Sequence, residues 1–445
     1  LPKVYKGNIT PKRRSISPVS SAPSSETVAE SHQSEKDNEA FLHADVADDR
    51  LKINEGDRVI LIIEDDKPFA TMLLELARKN KFKGVVTLRG KDGLALARRL
   101  TPDAITLDLR LPDIEGWVVL DQLKNMAETR HIPVHIISAA NEQHRGLSLG
   151  AIGYLEKPIT LETLNHALEK INEHLQKRDG AILIAESDAE LRKSLVELLE
   201  NGDCTIDAVQ DADTAIKFWR EKEYDCSVIN MHLGGMDGLT LAKKLVESNY
   251  THPLLVFSKQ GLSEPEKAEL EAIGRINVVK DIGSPEMLLS EVGLFLHRVE
   301  NKLPASKQRL ITKVRQDDNT LVGRKMLIVD DDPRNVQALV SVLKKYQMHL
   351  VTAENGREAL EKLDKNKDLD IILMDIMMPE MDGYDAMRAI RAQKEFESLP
   401  IIAVTAKAMQ GDRIKCLDSG ASDYITKPVD RNQLLSLLRV WLYKP

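Results

Sequence analysis

One phrase occurs three times in this chain, and it limits what the chain can fold into. Its fullest form is Ile371-Ile-Leu-Met-Asp375, followed by a loop containing Pro379, Gly383 and Tyr384. The apolar run Ile371 to Met374 is too short for a helix and predicts a buried strand, with Asp375 at its C-terminal end. The phrase recurs as Ala104-Ile-Thr-Leu-Asp108, leading to Leu111-Pro112 and Gly116. It recurs again as Cys226-Ser-Val-Ile-Asn230, leading to Gly234-Gly235 and Gly238. Each copy places a glycine eight positions on (108→116, 230→238, 375→383), which predicts a turn needing positive φ. A repeat of roughly 125–145 residues is domain-sized, far longer than a solenoid repeat. The chain reads as three copies of one domain. A carboxylate at the carboxyl end of such a strand is a metal ligand, a nucleophile or both.

A length of 445 residues has room for three domains. The expected division is a disordered linker over 1–57, domains over 58–178, 179–303 and 324–445, and a connector over 304–323. The linker is rich in Ser, Pro, Glu and Asp and has too little apolar surface to offset its ordering entropy. Its basic knot, Lys12-Arg13-Arg14, reads as a solvated charge run. In the first domain Val59 to Ile63 predicts a strand ending in Glu64-Asp65-Asp66. The helix after it carries Phe69, Met72, Leu73, Leu76 and Ala77 on one face. Further strands are expected at 84–87, 104–107, 134–137 and 154–155, and helices at 90–100, 117–127, 143–148 and 161–176. Five βα units per copy predict an α/β fold class: a doubly wound, parallel five-stranded sheet covered by helices on both faces. The second copy starts at Ala181 and the third at Lys325, with a short helix expected near 306–314 between them. Trp117, Trp219 and Trp441 fall in predicted helices as partial core residues.

The net charge of −8 and pI near 5.9 argue against nucleic acid as a partner. Cys204, Cys226 and Cys416 show neither paired nor metal-type spacing, which fits a reducing cytosol and a cytoplasmic location. No apolar run approaches the ~20 residues of a membrane span and no signal peptide is visible, so no direct membrane contact is expected. The chain opens on Leu1-Pro-Lys-Val without an initiator Met. It is expected to be a piece of a longer protein, which is itself free to be membrane-anchored.

In the third copy polar residues end four strands. Asp330 and Asp331 end the first, Asp375 the third, Thr405 the fourth and Lys427 the fifth. Three carboxylates on one rim repel each other, and a hard divalent cation, Mg²⁺ or Mn²⁺, relieves this. Asp375 is then a candidate nucleophile toward phosphorus, with the Lys427 ammonium and Thr405 hydroxyl on the phosphoryl oxygens.

This constellation resembles the response-regulator receiver domain, across nearly all of 58–445. The resemblance implies three tandem flavodoxin-like (βα)5 receivers. It assigns phosphoacceptor roles to Asp108 and Asp375 and metal-ligand roles to Glu64, Asp65, Asp108, Asp330, Asp331 and Asp375. Ser138, Thr405, Lys157 and Lys427 become the remaining catalytic groups, and Tyr154 and Tyr424 the switch aromatics whose rotamers report phosphorylation. The Ser138-to-Lys157 interval is 19 against 22 for Thr405-to-Lys427, so nearly one turn of the first copy's fourth helix is expected to be missing. The middle copy departs further. Glu186, Ser258 and Lys280 align, but Ser187 and Asn230 replace two acids, Asn277 the aromatic and Asp281 the proline. It is expected to be a phosphorylation-silent pseudo-receiver. In this family fast self-dephosphorylation goes with acid or amide side chains two residues after the acceptor and two after the Thr/Ser. Here those places hold Arg110 and Ala140, and Met377 and Lys407. Slow decay is the expectation.

The leading functional expectation is a phosphorelay segment of a hybrid histidine kinase. Its expected donors and acceptors are a histidine kinase dimerisation/phosphotransfer domain and a histidine phosphotransfer protein or downstream response regulator. The chain itself lacks a kinase ATP-binding domain. The alternatives are a stand-alone multi-receiver regulator, a binding scaffold, and a Mg-dependent phosphatase with an Asp nucleophile. The phosphatase would need a second acid where Arg110 and Met377 stand.

Overall fold

The computed structural model describes residues 40–139, 142–176, 180–233, 235–248, 252–258, 261–274, 278–316, 320–406 and 410–442. Lys12–Arg14, Ala140, Gly234, Asn277 and Lys407, all singled out above, lie outside the described residues.

In the first unit the strands Val59–Ile63, Lys83–Thr87, Ala104–Leu107, Val134–Ser138 and Gly153–Glu156 alternate with helices Lys67–Lys79, Gly90–Leu100, Gly116–Asn125, Gln143–Ser148 and Leu161–Gln176. All strand pairings are parallel, in the order second, first, third, fourth, fifth. The middle and third units repeat that order. The continuous apolar strands, such as Val-Ile-Leu-Ile-Ile at 59–63, are buried along their whole length because helices cover both faces. Strand order reverses between the first and third strands, so the loops leaving their carboxyl ends turn to opposite faces of the sheet and leave a crevice between them. Each first helix starts from the last acid of its acidic cluster: Asp66 accepts the Phe69 N–H, Asp188 those of Glu190 and Leu191, and Asp332 that of Arg334.

The three-residue deficit of the first unit falls where expected, since its fourth helix has 6 residues against 9 in Gln410–Asp418. The connector holds a helix at Ala305–Gln316. Three features depart from the sequence reading. The middle unit carries a small antiparallel hairpin, His232–Leu233 with Met236–Asp237, directly after Asn230. The second departure lies at 40–52, the later part of the stretch read as a disordered linker, which packs on the first unit. Arg50 is 6% exposed and binds Asp48, the carbonyls of Ala40, Phe41 and His43, and Val86 O at 2.7 Å. Asp49 takes the Gly84 N–H at 3.1 Å and Asp48 that of Val86 at 2.9 Å. The segment's charges are thus spent on the open edge of the strand Lys83–Thr87, which shields it.

The repeated glycines act differently from the expected positive-φ turn. Gly116, Gly238 and Gly383 open helices and are absent from the positive-φ glycines. A Cβ on any of them would collide with the carbonyl oxygen of Asp108, Asn230 or Asp375. Close backbone approach, rather than handedness, demands glycine there.

The first unit sits between the other two. Its helix Gly116–Asn125 packs against Arg431–Leu442 of the third unit, within one continuous apolar cluster containing Leu120, Leu123, Leu434 and Leu438. On its other side Arg130 donates to Ser290 O at 3.0 Å and Ser290 Oγ at 3.1 Å in the middle unit. Among the described residues, no helix is long and apolar enough to cross a membrane.

Candidate functional site

The crevice between the first and third strands collects the acids in two of the three units. Ligand oxygens of Glu64, Asp65 and Asp108 lie within 4.8 Å of one another, and those of Asp330, Asp331 and Asp375 do the same. In each trio two acids are buried and one is exposed toward solvent. A hard divalent cation with oxygen ligands fits this donor set and leaves positions for water and phosphate.

A lysine from the fifth strand closes each site. Lys157 Nζ lies 2.6 Å from Asp108 Oδ2 and 2.9 Å from both Glu64 oxygens. Lys427 Nζ lies 2.7 Å from Asp375 Oδ2 and 2.9 Å from Asp330 Oδ2. The Asp108 Oδ1 atom accepts the Arg110 N–H at 3.1 Å, so one carboxylate oxygen is held by backbone and the other by lysine. Burial, then the Asp108 charge, pushes the Glu64 carboxyl up to about 8. Burial likewise raises Asp375 against the opposing pull of Lys427. Burial lowers both lysines' affinity for a proton, but their bonds to the acids outweigh it and leave them raised. These are crowded anionic pockets held together by one cation each.

Ser138 and Thr405 are buried at the ends of the fourth strands. Tyr154 and Tyr424, the expected switch aromatics, differ between units. Burial raises the Tyr154 hydroxyl's pKa, whereas the Tyr424 hydroxyl donates outward to Asp113 O of the first unit at 2.8 Å. The sequence reading missed Asn335, whose amide donates to both oxygens of Asp330 at 3.0 and 3.2 Å. Its position on the first turn of the helix capped by Asp332 was the available signal. It also missed Phe69, whose ring lies 4.6 Å beneath the Lys157 ammonium.

The middle unit does not assemble this arrangement. Asn230 donates its amide to Glu186 and accepts the His232 N–H at 2.8 Å. Ser187 Oγ donates to His232 O at 3.0 Å, and Ser258 Oγ to Gly261 O at 3.2 Å. Lys280, aligned above with Lys157 and Lys427, requires a correction. In the outer units the fourth-strand Ser138 and Thr405 pair with Glu156 and Thr426, and the lysine is the next residue. In the middle unit Phe257 pairs with Ile282, so Ser258 stands level with Gly283 and the next residue is Ser284. Lys280 lies four residues short (284 − 280) and points to Glu291 Oε2 at 2.6 Å. The same register puts Asp281, rather than Asn277, at the place of Tyr424. Equal residue spacing, 22 in both units, concealed the shift.

The sequence profile of the response regulator receiver domain matches residues 60–169, 182–291 and 326–439. The chain is 34% identical over 181 residues to the signal transduction histidine-protein kinase BarA of Escherichia coli K12, covering 40% of this chain and 18% of that protein. It is 36% identical over 118 residues to protein PilH of Pseudomonas aeruginosa, covering 26% of this chain and 97% of that protein. The chain thus spans less than a fifth of BarA. Among solved structures, the receiver domain of sensor histidine kinase PA1611 from Pseudomonas aeruginosa, with magnesium coordinated in its active-site cleft, is 38% identical. It covers 27% of this chain and 98% of that one, at a TM-score of 0.26. With three matched segments in one chain, each folded as a doubly wound five-stranded unit, this protein belongs to the response regulator receiver family and consists of three receivers in tandem.

Proposed function

We propose that the first and third receivers accept phosphoryl groups on Asp108 and Asp375, that the middle receiver is silent, and that the chain serves a hybrid histidine kinase phosphorelay. The observation that carries this reading is the lysine on the acceptor carboxylate. Lys157 and Lys427 hold Asp108 and Asp375, while in the middle unit the position in the same register is Ser284.

Transfer from phosphohistidine requires an acceptor oxygen aligned with the P–N bond. The Arg110 N–H fixes one oxygen of Asp108 and Lys157 the other, so the carboxylate is presented in a set orientation. As the Asp oxygen bonds to phosphorus, the P–N bond breaks and its electron pair stays on the imidazole of the protonated phosphohistidine, which leaves neutral. Lysine follows the negative charge on the phosphoryl oxygens, and Ser138 or Thr405 donates to them. Glu64, Asp65 and Asp108 would hold Mg²⁺ in the first receiver, and Asp330, Asp331 and Asp375 in the third. When bound, the ion supplies further neutralisation of phosphoryl charge. The all-oxygen donor set also suits Mn²⁺. A kinase phosphotransfer domain as donor and a histidine phosphotransfer protein or response regulator as recipient complete the relay, in the cytoplasm.

The test is acetyl phosphate with Mg²⁺, followed by reductive trapping of acyl phosphates and mass spectrometry. Label is expected on Asp108 and Asp375. Label on Asn230, or label that survives the Asp108→Ala, Asp375→Ala double variant, overturns the assignment.

A further inference from the structure

The third receiver's switch face is seated on the first receiver's phosphorylation loop. That face is formed by the helix Gln410–Asp418, the strand Asp423–Thr426 and the helix Arg431–Leu442. Tyr424 Oη donates to Asp113 O at 2.8 Å. Arg413 Nη1 donates to Leu111 O at 3.1 Å, and its other terminal nitrogen closes an ion pair with Glu115. All three partners lie between Asp108 and the helix Gly116–Asn125. Arg413 therefore joins Asp65, Arg110 and Pro112 in lining a cavity of about 370 Å³ beside the Asp108 site. Behind these contacts Arg439 pairs with Asp121 at 3.1 Å, and Arg145 donates to Val440 O at 2.6 Å.

We propose that Arg413 and Tyr424 of the third receiver form part of the entrance to the first receiver's phosphorylation site, and that phosphorylation of Asp375 opens this entrance. The proposal rests on the reading of Asp108 and Asp375 as phosphoacceptors. Tyr424 pairs in register with Ala403, two residues before Thr405, so Tyr424 and Thr405 neighbour each other across adjacent strands. A phosphoryl group on Asp375 draws the Thr405 hydroxyl toward it and frees the space on its other side. A Tyr424 ring rotated into that space would approach Thr405 instead of Asp113. An inward Tyr424 gives up Asp113 O. The two placements are mutually exclusive, so the phosphoryl group biases the docking equilibrium by the difference between them. A histidine-bearing donor domain needs a face of roughly 800 Å² around Asp108. The third receiver occupies the rim such a donor would use. Docking and donor access therefore compete.

The experiment uses the full chain carrying Asp108→Asn, which retains the Oδ1 acceptor for the Arg110 N–H and leaves Asp375 as the single acceptor. Hydrogen exchange across 109–125 is followed before and after acetyl phosphate with Mg²⁺, with label on Asp375 quantified by mass. Exchange is expected to rise on labelling. Without any donor, Tyr424→Phe should raise it roughly five-fold by removing one hydrogen bond. Arg413→Glu, which sets like charge against Glu115, should raise it roughly ten-fold. Full label on Asp375 with unchanged exchange overturns the entrance proposal and leaves the acceptor assignment standing. Unchanged exchange in both unphosphorylated variants overturns it as well. Absence of label on Asp375 overturns the acceptor assignment and this proposal with it.

Discussion

Lys280 Nζ lies 2.6 Å from Glu291 Oε2, inside the fifth strand of the middle sheet and four residues short of the position that Lys427 takes in the third unit, where it meets Asp375. Restoring the acceptor alone should therefore not restore chemistry. Asn230→Asp is expected to label at position 230 about a hundredfold more slowly than Asp375, because Lys280 is held by Glu291 instead of by the acceptor. Adding Ser187→Asp and Ser284→Lys should raise that rate. Trapped acyl phosphate, counted per site, is the measurement; rapid labelling of the single variant would contradict the register argument.

Phosphoryl decay should be slow in both outer receivers. Hydrolysis needs a water held in line with phosphorus, and Met377, 73% exposed beside the third site, has no group to hold one. Arg110 in the first receiver is a cation and would hold phosphoryl oxygens instead. Met377→Asn together with Lys407→Glu is expected to speed loss of label from Asp375 by roughly ten-fold. Equal decay in parent and double variant would assign the rate to overall solvent access.

Asp423 gives the third receiver a pH-dependent stability. Burial, then the charge of Glu115 across the receiver interface, pushes its carboxyl from 3.8 up to about 7. The folded state therefore binds the proton more tightly than the unfolded chain. This contribution is complete below pH 3.8 and is lost as pH rises through about 7. Thermal unfolding should show the parent losing on the order of 2 kcal/mol relative to Asp423→Asn between pH 5 and pH 8. Parallel pH profiles for the two proteins would remove Asp423 from the account.

Gly383 should tolerate no side chain. Its ideal Cβ would stand against Asp375 O, 2.8 Å from Ile376 Cα and 3.0 Å from the Asp375 carbonyl carbon, and backbone does not yield cheaply. Gly383→Ala is expected to cost about 1–3 kcal/mol of stability and to slow labelling of Asp375 by displacing its carboxylate. Gly235→Ala is the control, since it has a positive φ of 86° but open space around it. Its strain should leave labelling at Asp375 untouched.

Most of the sheet was legible because its strands are continuous apolar runs with acids at their ends. Val59–Ile63, Ala104–Leu107 and Lys325–Val329 lie at the expected boundaries. The convergence of Glu64, Asp65 and Asp108 was legible too, since order along the chain and the doubly wound topology together fix which strand ends meet. Lys280 was misread because spacing counts residues and ignores where a strand starts; the middle unit moves its fifth strand relative to the fourth. Arg50 was hidden because composition describes a segment by itself, and this one is ordered by the strand edge it covers. Nothing local to Arg413 or Tyr424 announces Leu111, Glu115 or Asp113 as partners, because those contacts join residues about 300 positions apart.

Arg130, anchored on Ser290, ties the first receiver to a neighbour whose Lys280 is turned to Glu291 and which has an amide in place of the acid. If the middle receiver is silent, as proposed above, it keeps one resting shape whatever the phosphoryl traffic around it. Mechanically it would then be a fulcrum. With one flank of the first receiver pinned to an unchanging body, a shift of the third receiver would appear as relative motion at the opposite flank, beside Asp108. A relay whose three members all responded would have no fixed point against which that motion could register.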